Sequence, residues 1–236
     1  MISWAQGSIC VNLVRYAVPN SCALILDMDG VIVDSNPVHT EAWVRYLHLC
    51  GVSADHIHER MHGKRNDDIV RDLFGAGLTA EEVFRHGAEK ERLYREMMGP
   101  QLAVRLVRGV RDFISRNSHR RLAVASNAER ANVDFVLNNS GLRGYFAAIV
   151  DGHQVSRPKP APDLYLKTAE MLGVESSDCV VFEDSMTGIE AARQAGAKVV
   201  GVDTTDSALG GVDLLIKDFA DPGLEEWLAR VLNGTC

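Results

Sequence analysis

The sequence predicts an α/β protein, a doubly wound parallel sheet with a helical domain inserted after its first strand. Three observations carry that prediction. Short apolar runs recur that are continuous rather than alternating, as in strands buried on both faces. Helical patterns lie between them and stop at glycine. One long segment, residues 38–100, is dense in charge and shows helical periodicity without a convincing strand.

The first run, Cys22 to Leu26, follows a segment with neither a basic start nor a continuous apolar stretch. No secretory signal is expected there, and residues 1–20 are read as an N-terminal extension outside the fold. Helical periodicity then covers Thr40 to Leu49, Asn66 to Phe74 and Ala80 to Met98, so residues 38–100 are expected to form the inserted domain, with hinges near Asn36-Pro37 and Gly99-Pro100. Residues 21–37 and 101–236 make the α/β core. Its further runs are Leu122 to Ala125, Ala147 to Val150, Cys179 to Phe182 and Lys198 to Val202. The intervening helices, Glu129 to Ser140, Pro162 to Leu172 and Ser185 to Ala195, stop at Gly141, Gly173 and Gly196, each suited to the left-handed position after a helix. Strand and helix alternating in this order make a parallel sheet covered on both faces.

Composition excludes several function classes. A chain with 46% hydrophobic and 24% charged residues is ordinary for a globular protein. No stretch approaches the ~20 apolar residues that a membrane helix requires. Net charge is -7 and the basic residues are scattered, so no footprint for nucleic acid is expected and small molecules are the expected partners. The cysteines, Cys10, Cys22, Cys50, Cys179 and Cys236, are odd in number and widely spaced, which argues against a disulfide framework and a zinc site and suits a reducing cytoplasm. His56, His58 and His62 fall in the inserted helical domain and are not read as a metal site.

Polar groups stand immediately after the apolar runs, at the carboxyl edge where open α/β sheets bind ligands: Asp27 after Leu26, Ser126 after Ala125, Asp151 after Val150, and Glu183-Asp184 after Phe182. Strand ends are often polar because they meet solvent, yet this set, mostly acidic, is poorly explained that way. Asp27 and Asp29 are two apart on an extended segment, so both carboxylates face one crevice, and Gly30 lets the chain turn. Carboxylates this close repel unless a proton or a metal relieves them, and Glu183-Asp184 crowd the same rim. Oxygen-only ligands suit Mg²⁺ far better than zinc. Lys159 lies between Pro158 and Pro160, where stiff backbone restricts the direction of its ammonium group. A carboxylate approaching a phosphate dianion faces repulsion of roughly 4 kcal/mol per charge pair at about 4 Å and an effective dielectric of about 20. Mg²⁺ and Lys159 are the cations available to offset it.

Asp27-Met28-Asp29-Gly30-Val31, Ser126-Asn127, Lys159-Pro160 and Glu183-Asp184-Ser185 resemble the four ordered motifs of the haloacid dehalogenase superfamily, and the inserted helices resemble its first class of cap. The resemblance runs from about Cys22 to Val202. It implies a two-step phosphoryl transfer in which Asp27 attacks phosphorus, forming an aspartyl phosphate, while Asp29 protonates the leaving oxygen and then deprotonates the attacking water. Ser126 and the backbone N–H groups beside Asn127 would hold the phosphoryl oxygens, with Lys159 pairing with them and orienting Asp27. Mg²⁺ would be bound by Asp27, the Asp29 carbonyl, Asp184 and Glu183, the last directly or through water. Dehalogenases of the superfamily lack the second aspartate, here Asp29.

Within the superfamily the chain is most similar to the β-phosphoglucomutase-like and phosphoglycolate phosphatase-like branch, through Asp34-Ser35-Asn36-Pro37-Val38-His39 and Trp43. His39 matches a histidine that couples cap closure to catalysis in the mutase; read from spacing alone, His39 and Trp43 share one helical face and pack at the hinge. Where the mutase has Ser-Lys-Asn for a second phosphate, this chain has Ala128-Glu129-Arg130, and Glu129 should repel a distal phosphate. The cap loop reads His62-Gly63-Lys64-Arg65-Asn66, so His62, Gly63, Lys64 and Arg65 are assigned to substrate selection. The expected function is hydrolysis of a small phosphomonoester, such as a sugar phosphate, by a monomer or homodimer. A phosphohexomutase and a non-catalytic binding protein on the same fold are the alternatives.

Overall fold

A computed structural model describes residues 22–61, 64–204 and 208–233. The core strands are β1 (Ala23–Leu26), β2 (Arg121–Ala125), β3 (Ala148–Val150), β4 (Cys179–Glu183), β5 (Lys198–Val202) and β6 (Leu214–Ile216). They form one sheet in the order β3-β2-β1-β4-β5-β6, parallel throughout. Between β1 and β2 come α1 (Asn36–Leu49), α2 (Ile57–Met61), α3 (Asn66–Phe74), α4 (Ala80–Met98), α5 (Leu102–Arg105) and α6 (Val110–Arg116). The remaining helices are α7 (Arg130–Asn139), α8 (Asp163–Leu172), α9 (Met186–Gln194) and α10 (Pro222–Asn233).

Side chains alternate across each strand, and two apolar layers result. Leu24, Leu26, Leu122, Val124, Val180 and Phe182 face α6, α7 and α10. Ala23, Ile25, Ala123, Ala125, Cys179 and Val181 face α8 and α9. The sheet is therefore doubly wound, as expected. Gly141, Gly173 and Gly196 all carry positive φ, so the three helix stops fall where the glycines predicted.

The helices between β1 and β2 extend the first layer: Trp43 and Leu47 of α1, Val70 of α3, and Leu93 and Tyr94 of α4 belong to the same buried cluster as Leu24 and Phe182. Helix α4 begins at a reciprocal cap, in which Thr79 Oγ1 accepts the Glu82 N–H and Glu82 Oε2 accepts the Thr79 N–H. The chain leaves and re-enters the core along paired segments. Asp34 N–H donates to Arg105 O at 2.8 Å and Val107 N–H to Ile32 O at 3.0 Å, and the Arg105 guanidinium lies 2.9 Å from Asp34 Oδ2.

Several expectations need correcting. Asn36-Pro37 is the first turn of α1, a position where proline's missing N–H costs nothing, and Gly99-Pro100 continues α4 as a 3₁₀ turn. Both places read as hinges are thus helical. Strand β6 and helices α2, α5, α6 and α10 were not anticipated. Cys50 and Cys179 are free, but Cys22 is disulfide-bonded, a departure from an all-reduced set. The extension, residues 1–20, lies outside the described residues. Among the described residues no helix is long and apolar enough to cross a membrane.

Phe113 of α6 ties the sheet to the C-terminal segment, its ring centroid 5.2 Å from that of Phe182 and 4.8 Å from that of Phe219. All three rings are buried. Phe113→Ala should lower unfolding free energy by about 3–5 kcal/mol, since a close-packed site refills poorly. Urea denaturation checks this, and a loss below about 1 kcal/mol would mean that the ring is not integral to the core.

Candidate active site

The chain winds outward from β1 to β2 and β3 on one side and from β4 to β5 and β6 on the other. That reversal leaves a crevice at the carboxyl ends of β1 and β4. Leu26 pairs in register with Phe182 on one side and with Val124 on the other. Asp27 and Ser126, just past β1 and β2, and Glu183, the last residue of β4, are therefore brought to one edge. Backbone bonds hold the first two in place: Asp27 N–H donates to Phe182 O and Ser126 N–H to Val150 O, each at 3.0 Å.

Lys159 reaches this edge from the connection between β3 and α8, where a cis peptide joins it to Pro160. It is only 7% exposed. Its ammonium group donates to Asp27 Oδ1 at 2.6 Å and to Glu183 Oε1 at 2.5 Å, and sits 5.1 Å from the Tyr165 ring centroid. Glu183 is fully used. Oε1 also accepts from the Tyr165 hydroxyl at 2.7 Å, while Oε2 accepts the N–H groups of Asp184 and Ser185 and the Ser185 hydroxyl. Ser185 in turn caps α9, its Oγ accepting from Gly188 N–H at 3.1 Å.

Carboxylate oxygens of Asp27, Glu183 and Asp184 lie within 4.8 Å of one another. Burial pushes the Asp27 carboxyl up to about 7; the Lys159 ammonium pulls it down, while Glu183 and Asp29 push it further up. Burial also holds Asp184 well above the ordinary carboxylate range, reinforced by Glu183 and Asp27. Glu183 goes the opposite way, because Lys159 and the hydrogen bonds outweigh its burial. Lys159 is held well above its usual value: burial opposes its charge, but Asp27 and Glu183 prevail. One ammonium group thus serves a cluster with an excess of negative charge, a donor set that fits a divalent, oxygen-preferring cation. Gly30, at φ +77°, leaves room for this cluster, since a Cβ there would stand 1.9 Å from Asp184 Oδ2.

Asp29 lines the same pocket on the side of the helical layer. Its Oδ1 accepts from the Ser35 hydroxyl at 2.6 Å and lies 3.6 Å from His39 Nε2. The His39 ring stacks on Tyr94 with centroids 3.8 Å apart, and its Nδ1 is 3.2 Å from Lys90 Nζ. Asn127, Lys64 and Arg65 also line the pocket, and Lys159 N–H approaches Asn127 Oδ1 at 3.5 Å. His62 and Gly63 lie outside the described residues. Asp151 turns away, bonding the His153 N–H instead. Glu129, expected to repel a distal phosphate, is paired with Arg95 at 2.7 Å, because α4 packs against α7.

Sequence reasoning missed Tyr165, Lys90, Glu91 and Asn132. Lys90 had a signal: Val83, Gly87, Lys90 and Tyr94 recur at helical spacing, so a lysine occupies the buried stripe of α4. Tyr165 had none, since an aromatic residue on an apolar helix face reads as core.

Gly188 yields a test of this crowding. A Cβ there would fall 1.8 Å from Glu183 Oε1. Alanine inside a helix is otherwise favoured over glycine by about 1 kcal/mol, so the sign is diagnostic. Gly188→Ala should destabilise by about 1–3 kcal/mol, read as a lower urea midpoint. A raised midpoint would show that Glu183 is not confined as described.

A family model described as haloacid dehalogenase-like hydrolase matches residues 23–196. A fructose-1-phosphate phosphatase of Escherichia coli (strain K12) is 35% identical over 193 residues, covering 80% of this chain and 97% of the relative. The β-phosphoglucomutase of Bacillus subtilis (strain 168) is 28% identical over 216 residues, 87% of this chain and 95% of the relative. Among solved structures, a HAD hydrolase of family IA, variant 3, from Entamoeba histolytica HM-1:IMSS superposes with a TM-score of 0.80 at 24% identity, over 90% of this chain and 99% of that one, a likeness of fold.

Proposed function

This chain belongs to the haloacid dehalogenase-like hydrolase family, and from that premise we propose that it is a Mg²⁺-dependent phosphatase of small phosphomonoesters that works through an aspartyl phosphate on Asp27. One observation carries the reading: a buried carboxylate, Asp27, stands at the switch point of the sheet with an ammonium group on one oxygen and a second acidic residue, Asp184, beside it. The relative that acts on fructose 1-phosphate supports a sugar phosphate as the substrate class.

Asp27 and Asp184 would hold the ion, with the Asp29 carbonyl. Glu183, its oxygens committed to Lys159, Tyr165 and the Ser185 turn, would contribute charge from behind or through water. When bound, Mg²⁺ supplies positive charge against which a carboxylate and a phosphate can approach. Asp27 forms the bond to phosphorus as the ester P–O bond breaks, and Asp29 gives its proton to the departing oxygen. A water molecule then attacks phosphorus, passes a proton to Asp29 and frees Asp27 and inorganic phosphate. Ser126 and the N–H groups near Asn127 steady the phosphoryl oxygens, and Lys159 keeps Asp27 aimed. Helices α1–α4 act as the cap that excludes bulk water, joined to the core by the paired segments at Asp34 and Arg105.

A phosphohexomutase is the second reading, supported by the B. subtilis relative and by His39 beside Asp29. Following free phosphate and glucose 6-phosphate in one assay with glucose 1-phosphate separates the two.

Asp27→Asn should lower Mg²⁺-dependent phosphate release from sugar phosphates by more than about 10³-fold while leaving the fold intact. Unchanged turnover would reject the nucleophile. The pH dependence has a definite sign. Without the ion, folded Asp27 keeps a proton up to about pH 7 that the unfolded chain has released, so this group lowers stability as pH rises through that window. Bound Mg²⁺ must displace that proton, so the gain in melting temperature on adding Mg²⁺ should be larger at about pH 8 than at about pH 6. An equal or smaller gain at the higher pH would contradict the assignment of Asp27 as a ligand.

A further inference from the structure

We infer that Asn66, Glu91 and Asn132 build a hydroxyl-binding subsite in the same pocket, one that takes an uncharged polyol and turns away a second phosphate. The inference rests on the phosphatase reading and specifies its substrate class.

These three residues line the pocket from three separate helices. Glu91 is 3% exposed. Its Oε1 accepts from Asn66 Nδ2 and Lys90 Nζ, and its Oε2 accepts from Asn132 Nδ2 at 2.6 Å. Burial opposes its charge, but Lys90, His39 and the Asn66 hydrogen bond bring its carboxyl down to about 2, so it stays ionised at neutral pH. Among the described residues Oε2 accepts that one hydrogen bond, and a carboxylate oxygen has a second lone pair for a ligand hydroxyl. A carboxylate flanked by amides is a natural partner for hydroxyl groups, which donate to the one and exchange hydrogen bonds with the others.

The cations nearby are already matched. Lys90 is bonded to Glu91 and is 1% exposed. Arg95 donates to Glu129 Oε1 and to Asn132 Oδ1, each at 2.7 Å. Lys64, exposed, and Arg65, half-buried, line the pocket too and are not among the hydrogen-bond partners of Asn66, Glu91 or Asn132. A second phosphate reaching Glu91 would therefore stand against a carboxylate whose cationic partner is already committed, and its own charge would go unmatched by these three residues.

Binding tests this apart from turnover. Asp27→Asn protein with Mg²⁺ is titrated calorimetrically with fructose 1-phosphate and with fructose 1,6-bisphosphate, compounds that differ by one distal phosphate. The monophosphate should bind more tightly by about tenfold or more. Adding Glu91→Gln, which leaves the Lys90 ammonium unmatched, or Asn66→Arg, which adds a cation and spares the ion pair, should shrink that preference by about fivefold or more through tighter bisphosphate binding. Asn66→Arg decides the matter if Glu91→Gln does not fold. Equal affinities, no binding of the monophosphate, or an unchanged preference in the folded variants would overturn the subsite. Phosphate release by the unsubstituted protein judges the phosphatase reading separately.

Discussion

The structure turns on a single ammonium group shared by two carboxylates. Lys159 Nζ lies 2.6 Å from Asp27 and 2.5 Å from Glu183, on neighbouring strands whose register forces those acids together. Desolvating a carboxylate costs several kcal/mol even after relaxation, and two side by side also repel. The sheet could not close over this pair without a cation or a proton. Glu183 is further satisfied by Tyr165 and the Ser185 turn, whereas Asp27 has Lys159 on one oxygen and turns toward the pocket. The asymmetry explains why burial leaves Glu183 acidic but pushes Asp27 upward. Glu183 is anchored on both oxygens, whereas Asp27 faces the pocket.

Packing so many polar groups at one edge leaves little space for carbon. Glycine stands at three places where no Cβ would fit beside the cluster or its loops. Besides Gly30 and Gly188, a Cβ at Gly152 would lie 2.4 Å from Asn127 O, so the loop carrying Ser126 and Asn127 rests directly on Gly152. These positions are set by close approach, and Gly30 alone among the three also requires positive φ. Sterics and electrostatics thus converge at the same place: the charge cluster fixes where side chains must be, and the missing methyl groups let them be there.

Much of this was legible in sequence because it is local. Five strands announced themselves as apolar runs, four of them followed at once by Asp27, Ser126, Asp151 or Glu183, and Gly141, Gly173 and Gly196 marked helix ends through a backbone preference that needs no tertiary context. Strand β6 escaped because it is a short edge strand with Leu215 half exposed, too brief to show a period. Helix α6 is seven residues long and held by Phe113 packing on β4 and on Phe219, a contact between distant segments. Both expected hinges carry a proline that a first helical turn accepts, so each place is helical. At the site, the four motifs predicted which side chains converge, since each sits at a strand end or a stiff loop. The Lys90 to Glu91 pair did not emerge, because its partners Asn66 and Asn132 come from helices whose mutual packing no local pattern encodes.

That pair also argues about purpose. A buried ion pair in a helical layer is weak support for stability, since apolar side chains of similar volume usually serve as well or better. Leu93 and Tyr94 on the same helix show that α4 can supply such side chains. The charges at 90 and 91 instead connect His39 near Asp29 to Asn132 on α7, reaching across from the helical layer to the core. Such a network costs little only while every member is bonded, so it holds α4 and α7 in one arrangement more strictly than apolar contact would. The pocket lining is consequently uneven in charge. Around Asp27 negative charge exceeds the cation supplied by Lys159, a balance that fits a divalent cation. Around Glu91 the carboxylate is matched by Lys90 and bonded by two amides, and on the inference drawn above a ligand there brings hydrogen bonds and no further charge.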